Sequence, residues 1–528
     1  LSTHLEQQVQ DLNNPEGLQI LTQIKRGLEK ESLRIDDKGS LAQTPHPKGL
    51  GSALTHSSIT TDYSEALMEF ITSPNESIEQ SLERLADVHS YVYQHLDGEI
   101  LWAASMPCIV SGDGSIPIAE YGKSNVAQMK EAYRKGLGHR YGRMMQAIAG
   151  IHYNFSMPEE YWKQAWEAAG QPGELADYIS DRYLALIRNF HRYSWLLIYL
   201  YGASPAVCSS FLRGRDDHNL QSFDEESRSL HLPYGTALRM GDLGYNSDAQ
   251  GDMKVCYNAL DDYVETLSEA IQLPHPEYAS IRSGQNGDYQ QLNDSLLQIE
   301  NEFYSAIRPK RVAFSGETPL GALRRGGIEY IEVRCVDVSP FSPVGLDAQQ
   351  IRFMDVFLLY CLMEESPCCN DEEQTLQSKN IEAVVNRGRQ PNLKLNENGE
   401  ETLLSEWASK LLASMSSIAQ TMDKAFSSTD YSQTLAEQMA KVDDPELTAS
   451  ARILREMTEK NLPFFRLAME YSKQWSEHFL NRPLSEAKQS LFDKECSRST
   501  QAQAEIEQSD TLSFDEYLKN FYAQYPGL

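Results

Sequence analysis

The sequence predicts an α+β fold, on three observations. Up to about residue 346, strand-like runs rich in Gly, Tyr and β-branched residues are interspersed with helical patterns. Beyond it, apolar residues recur at three- and four-residue spacing over 347–363 and 400–424, and again over 446–479, a helical signature. Residues 326–337, Gly-Gly-Ile-Glu-Tyr-Ile-Glu-Val-Arg-Cys-Val-Asp, form a strand pattern with charge where a buried sheet normally holds only apolar side chains. The predicted division is an α+β catalytic part over 1–345 and a mainly helical part over 346–528, packed on it without a free linker.

In chain order, 24–35 (IKRGLEKESLRI) comes first. As a strand it places Glu29, Glu31 and Leu33 on one face and Leu28, Lys30 and Ser32 on the other. Two carboxylates so placed repel each other, which solvent would tolerate on a surface strand; a short amphipathic helix, in which they splay apart, fits the run as well. Residues 60–72 supply Asp62, Glu65 and Glu69. Asp62 followed by Glu65 has the form of a helix capping box, whereas Glu69, between Met68 and Phe70, is expected to be partly buried and so to need a cation. In 150–157 (GIHYNFSM), Ile151, Tyr153 and Phe155 face one way and His152, Asn154 and Ser156 the other. A lone strand histidine is usually a hydrogen-bonded core residue, but a whole polar face opposite an aromatic one suits a half-wet cleft.

The longest apolar run, Trp195 to Cys208, is broken by Gly202, Ser204 and Pro205 and reads as a buried helix ending in a loop, too short for a membrane span. In 326–337, alternation puts Tyr330, Glu332, Arg334 and Val336 on one face and Glu329, Ile331, Val333 and Cys335 on the other. Glu332 and Arg334 then sit about 7 Å apart. On a wet surface they would form an ion pair of little value. The flanking β-branched residues and the preceding Gly pair favour a central strand, where such charges need a metal, a ligand or a partner. Residues 366–399, polar and holding Pro367, Pro391, Cys368 and Cys369, read as a surface excursion.

Acidic residues (76) outnumber basic ones (47), a formal charge of −29 that argues against nucleic-acid or anionic-membrane partners. An anionic substrate would need local help, offered by Arg308, Lys310 and Arg311 and by Arg324 and Arg325. The eight cysteines form no Cys-x-x-Cys pair and suggest no disulfide framework, so a reducing, cytoplasmic compartment is expected. The opening LSTHLEQQVQ has neither the basic nor the apolar region of a signal peptide, and without an initial Met a short preceding stretch is expected. Gly122-Lys123-Ser124 resembles the end of a P-loop, but Pro117 stands where its first Gly belongs and no immediate helix is read after it. No G-x-G-x-x-G follows a strand and no G-x-S-x-G occurs, which removes the dinucleotide-binding and nucleophile-elbow readings.

Together the acidic segments offer Glu29, Glu31, Asp62, Glu69, His152 and Glu332, hard oxygen ligands plus one imidazole, suited to Mg²⁺ or Mn²⁺. Arg239 and Arg334 are candidate cations for a substrate carboxylate or phosphate.

As a set, the segments resemble the proteobacterial-type glutamate-cysteine ligase (γ-glutamylcysteine synthetase) family. RGLEKESLRI, GSALTHSSITTDYSEALMEFIT, SMPC, EYGKSN, GIHYNFS, YLYGASPAVCSSF, LPYGTALRMGDLGY, QIENEFYSAIRPKR and RGGIEYIEVR occur in order, with PFSPVG and LTASARIL continuing the likeness over nearly the whole chain. The resemblance implies a catalytic antiparallel sheet curved into a funnel of glutamine synthetase-like type, and it favours a strand around Glu69. It implies metal ligation by Glu29, Glu31, Asp62, Glu69, His152 and Glu332. Asn154 and Gln146 would lie near glutamate, and Tyr63, Tyr133, Arg239, Tyr245 and Tyr304 near cysteine. Arg334 would lie against the transferred phosphoryl group. Tyr63 departs from the family's Phe, which alters the polarity of the cysteine pocket. Assignment of Arg308 and Lys310 to ATP rests on the basic cluster alone.

The implied activity is ATP-dependent ligation of the γ-carboxylate of L-glutamate to the amine of L-cysteine through a γ-glutamyl phosphate, the first step of glutathione biosynthesis. Mg²⁺ (or Mn²⁺) is the expected cofactor, ATP a co-substrate and a monomer the expected state. The competing readings are a metabolite sensor that keeps the pocket without the chemistry, and a related ligase with another amine acceptor.

Overall fold

The computed structural model describes residues 3–525 apart from 108, 213–217, 224–228, 245–249, 252 and 286. Its strands are β1 (Lys25–Ile35), β2 (Ile59–Thr61), β3 (Leu67–Ile71), β4 (Ile100–Leu101), β5 (Gly150–Ser156), β6 (Ala206–Cys208), β7 (Gln221–Ser222), β8 (Ser229–His231), β9 (Ser283–Gln285), β10 (Asp288–Tyr289), β11 (Ile307–Lys310), β12 (Tyr330–Asp337), β13 (Lys394–Glu397) and β14 (Glu400–Leu403). The helices before β12 are α1 (Thr3–Leu12), α2 (Pro15–Leu21), α3 (Ile78–Tyr93), α4 (Asn125–Tyr141), α5 (Glu159–Ala168), α6 (Leu175–Tyr201), α7 (Leu260–Gln272) and α8 (Pro319–Gly326). After it come α9 (Ala348–Met363), α10 (Asp371–Arg387), α11 (Leu404–Ser414), α12 (Ser416–Phe426), α13 (Asp430–Asp443), α14 (Ala449–Lys460), α15 (Phe464–Leu480), α16 (Glu486–Ser509) and α17 (Phe514–Tyr522). No helix among the described residues is long and apolar enough to cross a membrane.

The main sheet runs β11-β12-β5-β1-β3-β2, antiparallel throughout, with β4 paired to the end of β1. One face packs on helices from both ends of the chain, α3, α6 and α9 among them, in one continuous apolar core. Charge on that face is neutralised internally. The buried Arg26 guanidinium forks onto Asp355 of α9 at 2.8 Å, and the same carboxylate accepts Tyr153 at 2.6 Å and Tyr431 at 3.2 Å. Burial lowers Lys30 to about 7; its ammonium donates to Ser32 and to His89 Nε2, whose Nδ1 is turned to the Leu85 carbonyl.

Several expectations are corrected. Residues 59–71 form a β-hairpin, so Asp62 and Glu65 cap no helix. Asp62 lies in the turn, and Glu65 accepts the His46 and Glu120 amides at 2.7 and 2.9 Å. The pair Gly326-Gly327 closes α8, with Gly327 at φ +73°, and does not open the strand. A bulge in β12 adds one residue between Val333, which faces Tyr153, and Val336, which faces Ile151. Val336 therefore leaves the face of Glu332 and Arg334 and joins the apolar side. A helix does follow Ser124 at once, since Ser124 caps α4 by accepting the Ala127 amide, leaving Pro117 as the argument against a P-loop.

The excursion at 366–399 contains α10 and β13, and 400–403 pairs with β13 before α11 begins. The 446–479 pattern is two helices parted by Asn461 at φ 51° and Pro463. The apolar run from Trp195 ends its helix at Tyr201 and, past the loop, enters the short strand β6.

Candidate active site

Sheet register assembles the site. Directly paired residues share a face, and the pairs are Arg308 with Glu332, Glu332 with Asn154, Asn154 with Gly27, Glu29 with His152, and Glu31 with Glu69. All the polar members therefore stand on the face opposite the helical core. Gly27 presents no side chain at the Asn154 position, where a Cβ would lie 3.4 Å from the Asn154 Cβ.

Four glutamates converge on one imidazole. His152 Nδ1 lies 3.1 Å from Glu29, 3.8 Å from Glu332 and 4.0 Å from Glu69, and Nε2 lies 3.6 Å from Glu31. Two sets result, Glu29, His152 and Glu332 on one side and Glu31, Glu69 and His152 on the other, each with ligand-capable atoms within 4.8 Å of one another. Asn154 donates to Glu29 at 2.7 Å and the Gly150 amide to Glu31 at 2.6 Å. Arg334 Nη1 donates to Glu332 at 3.2 Å, and Lys310 approaches the same carboxylate at 3.4 Å.

The charges are unevenly balanced. Burial pushes the Glu69 carboxyl well above the usual range, and Glu29, Asp62 and Glu31 push it further. Burial likewise raises Glu31. At Glu332 burial acts in the same sense, but Lys310, Arg334, His152 and Arg308 outweigh it and hold the carboxyl well below the usual range. Acids forced together without enough positive charge are the donor set a divalent cation satisfies. The buried His152 Nε2, Asn154 Oδ1 and Tyr63 hydroxyl lack hydrogen-bond partners among the described residues, so imidazole, amide and phenol remain available to a ligand.

A cavity of about 760 Å³ opens over this face. Glu29, Asp62, Tyr63, Glu69, Tyr133, Gln146, His152, Tyr304, Arg308, Lys310, Glu332 and Arg334 line it, and Gln146 donates to the Tyr304 hydroxyl at 2.8 Å. Asp62 stands at the rim with its side chain 46% exposed, 4.0 Å from Arg134, and joins neither carboxylate set. Glu31 and Asn154 lie just behind the lining residues. Arg239 is placed differently from expectation. It is wholly buried off the cavity wall, donating to the Arg334 carbonyl at 2.8 Å and lying 3.8 Å from Asp337. Tyr245 lies outside the described residues. Glu329, just before β12, pairs with Arg311 at 3.8 Å.

Sequence reasoning missed two walls. Met129, Lys130, Arg134 and Leu137 stand beside the expected Tyr133 on one face of α4 over the cavity, a spacing legible as a helix face once the helix is known. Ile506 and Ser509 of α16, Asp510 just after it, and Tyr517 and Phe521 of α17 close the top, from a segment with no local signal of a site.

The carboxylates clustered around the imidazole form groups that could hold a metal ion, in a cleft that also carries arginines. A family model for glutamate-cysteine ligase matches residues 9–384. The glutamate-cysteine ligases of Alcanivorax borkumensis and Pseudomonas putida KT2440 are each 48% identical, the first over 98% of this chain and 99% of its own, the second over 96% of both. The crystal structure of the Francisella tularensis glutamate-cysteine ligase in complex with AMP superposes with TM-score 0.89 at 35% identity, covering 96% of this chain and 98% of that one. A bifunctional glutathione synthetase from Pasteurella multocida shares the fold at TM-score 0.72 and 24% identity, over 90% of this chain and 56% of that one. The chain belongs to the glutamate-cysteine ligase family.

Proposed function

We propose that the protein joins the γ-carboxylate of L-glutamate to the amine of L-cysteine at the expense of ATP, giving γ-glutamylcysteine, ADP and phosphate, the first step of glutathione biosynthesis. The observation that supports this most is the convergence of Glu29, Glu31, Glu69 and Glu332 on His152, with Arg334 on Glu332, in a member of this family. A carboxylate is a poor acyl donor, so the γ-phosphoryl group of ATP is first transferred to it. The amine then attacks the γ-glutamyl phosphate and expels phosphate.

The first step brings two anions together. Mg²⁺ or Mn²⁺, held by the two carboxylate sets around His152 with Asp62 at the rim, would neutralise charge between the ATP phosphates and the γ-carboxylate. Arg334 offers a bidentate cation to the transferred phosphoryl group, and Arg308 and Lys310 extend positive charge along β11 for the rest of the phosphate chain. Asn154 and Gln146 orient glutamate; Tyr63, Tyr133, Tyr245 and Tyr304 orient cysteine, and Arg239 acts on that pocket from behind through the Arg334 backbone. The AMP in the Francisella ligase crystal supports a nucleotide co-substrate.

We further read the sheet as the curved funnel of glutamine synthetase-like type, the parts 1–345 and 346–528 as one catalytic unit, and the protein as a cytoplasmic monomer. The test is release of phosphate with the purified protein. It is expected to require Mg²⁺, ATP, glutamate and cysteine together, and absence of γ-glutamylcysteine under those conditions overturns the reading.

A further inference from the structure

Glu302 lines the cavity but joins neither carboxylate set around His152. Both its oxygens are taken. Oε1 accepts Arg140 at 2.9 Å and the Tyr141 hydroxyl at 2.7 Å, from the last two residues of α4, and Oε2 accepts the Gln298 amide at 2.6 Å. The Arg140 and Glu302 side chains are wholly buried. Arg140 is held in turn by Gln291 Oε1 at 2.8 Å and the Asn293 carbonyl at 2.7 Å, over the Tyr278 ring. Desolvation cancels much of what such a pair gains in stability, and what it fixes is geometry.

The group so fixed is Tyr304. Gln250 donates to both the Tyr141 hydroxyl and the Glu302 carbonyl, at 3.1 and 3.0 Å, and accepts the Tyr304 amide at 3.1 Å. The Tyr141 ring meets the Tyr304 ring edge to face, with 5.9 Å between centres. At the far end Gln146 donates to the Tyr304 hydroxyl at 2.8 Å. Backbone, ring and hydroxyl of one cavity residue are each tied down, two of the three by way of Tyr141.

The carboxylates on the sheet are held by other contacts. Asn154 binds Glu29 and the Gly150 amide binds Glu31. Arg308 anchors the carbonyls on either side of Glu302, at 2.9 Å for Asn301 and 2.5 Å for Phe303. Loosening Glu302 or Tyr141 therefore leaves the metal and phosphate end in place and moves Tyr304. If the protein is the ligase argued above, on which this inference rests, Tyr304 stands on the acceptor side and the two half-reactions separate. Phosphoryl transfer needs the sheet; attack by the amine also needs the acceptor aligned with the acyl carbon.

We propose that Glu302 and Tyr141 are positioning residues for the second half-reaction, aligning the acceptor amine through Tyr304. The test compares two nucleophiles at saturating Mg²⁺, ATP and glutamate. Cysteine needs the acceptor pocket. Hydroxylamine does not: its nitrogen bonds to the γ-acyl carbon, the carbon–oxygen bond to phosphate breaks and a proton is lost, giving the hydroxamate. Tyr141→Phe keeps the ring and loses the hydroxyl, and Glu302→Gln keeps the shape and loses the charge. With cysteine, kcat is expected to fall by about 3- to 10-fold in Tyr141→Phe and by about 10- to 100-fold in Glu302→Gln. Hydroxamate formation, and KM for ATP and glutamate, should stay within about twofold of wild type in both. Equal losses with both nucleophiles overturn the proposal. So does a lowered melting temperature with cysteine turnover unchanged, which is what a purely structural network gives. If Glu302→Gln does not fold, Tyr141→Phe alone decides. Failure of the ligase reading itself shows separately, as a wild-type protein that makes neither dipeptide nor hydroxamate.

Discussion

His152 and Glu29 face each other across the β1–β5 ladder with Nδ1 and Oε2 3.1 Å apart. The same nitrogen is 3.5 Å from Arg334, so the imidazole stands between the carboxylates and the arginine proposed for the phosphoryl group. Direct pairing sets this contact, and a one-residue slip of β5 against β1 would replace His152 by Ile151 or Tyr153 on the site face. The chemistry is therefore tied to the register of the central strands.

Glu69 is the carboxylate most burdened by its neighbours, which makes it a sharp test of the cation role. Glu69→Gln keeps the shape and hydrogen-bonding capacity but removes the charge. Turnover is expected to fall by about 100-fold or more, while the circular dichroism spectrum is retained. Unchanged turnover with saturating Mg²⁺ would remove Glu69 from the metal site.

The same residue gives a pH dependence. Its folded pKa lies above the ordinary value, so without metal its contribution to stability is fully present below about pH 4.5 and is lost as pH rises through the raised value. Glu332 runs the other way, contributing above the ordinary carboxylate range and losing that contribution as pH falls through its lowered value. In EDTA, Glu69→Gln is expected to melt higher than the wild type at about pH 8, with the gap closing towards about pH 5. With Mg²⁺ present the order should reverse, because only the wild type gains a bound cation. A thermal scan at both pH values decides, and a gap independent of pH refutes the strained-acid account.

Much of this site is legible along single strands, because a polar face opposite an apolar one is a local pattern. His152 with Asn154, Glu29 with Glu31, and Glu332 with Arg334 all show it. Three things are not local. Asp62 and Glu65 look like a capping box because the spacing of a cap and of a hairpin turn coincide, and only pairing of β2 with β3 distinguishes them. The bulge after Val333 depends on β5, which is far away in sequence. Lys130 reads as an ordinary helix lysine until tertiary packing places it over Tyr121 beside the carboxylates.

Behind the sheet, Arg26 is paired with Asp355, both fully buried. Burial lowers the guanidinium's proton affinity, but Asp355 and the nearby tyrosines raise it further than burial lowers it. Asp355→Ala would strand that charge and two tyrosine hydroxyls, at a cost of about 3–5 kcal/mol. Urea denaturation should show the loss, while kcat of the folded fraction changes by less than about twofold, since the network lies on the face away from the cavity. A large drop in kcat at wild-type stability would assign Asp355 to the chemistry instead.

The C-terminal segment makes the last prediction. Asp510 accepts the Asn125 amide at the start of α4, and Asn125 donates to the Leu512 carbonyl at 3.1 Å. On the other side of the cavity, Tyr522 donates to the Gln298 carbonyl at 2.9 Å, Gln524 joins the Thr318 amide to the Gly316 carbonyl, and Tyr525 donates to the buried Glu300. Residues 510–525 thus strap α4 to the 298–319 segment, with Tyr517 and Phe521 forming part of the roof. An acyl phosphate exposed to water hydrolyses, so a roof that excludes water should couple ATP use to peptide formation. Truncation after Ser509 is expected to raise the ratio of phosphate released to γ-glutamylcysteine formed above about one. Tyr522→Phe, which keeps the helix and loses only the contacts to Gln298 and Asn293, should raise it less. Parallel assays of phosphate and product measure the ratio, and a truncated protein that is folded, active and fully coupled would show that the strap does not seal the cavity.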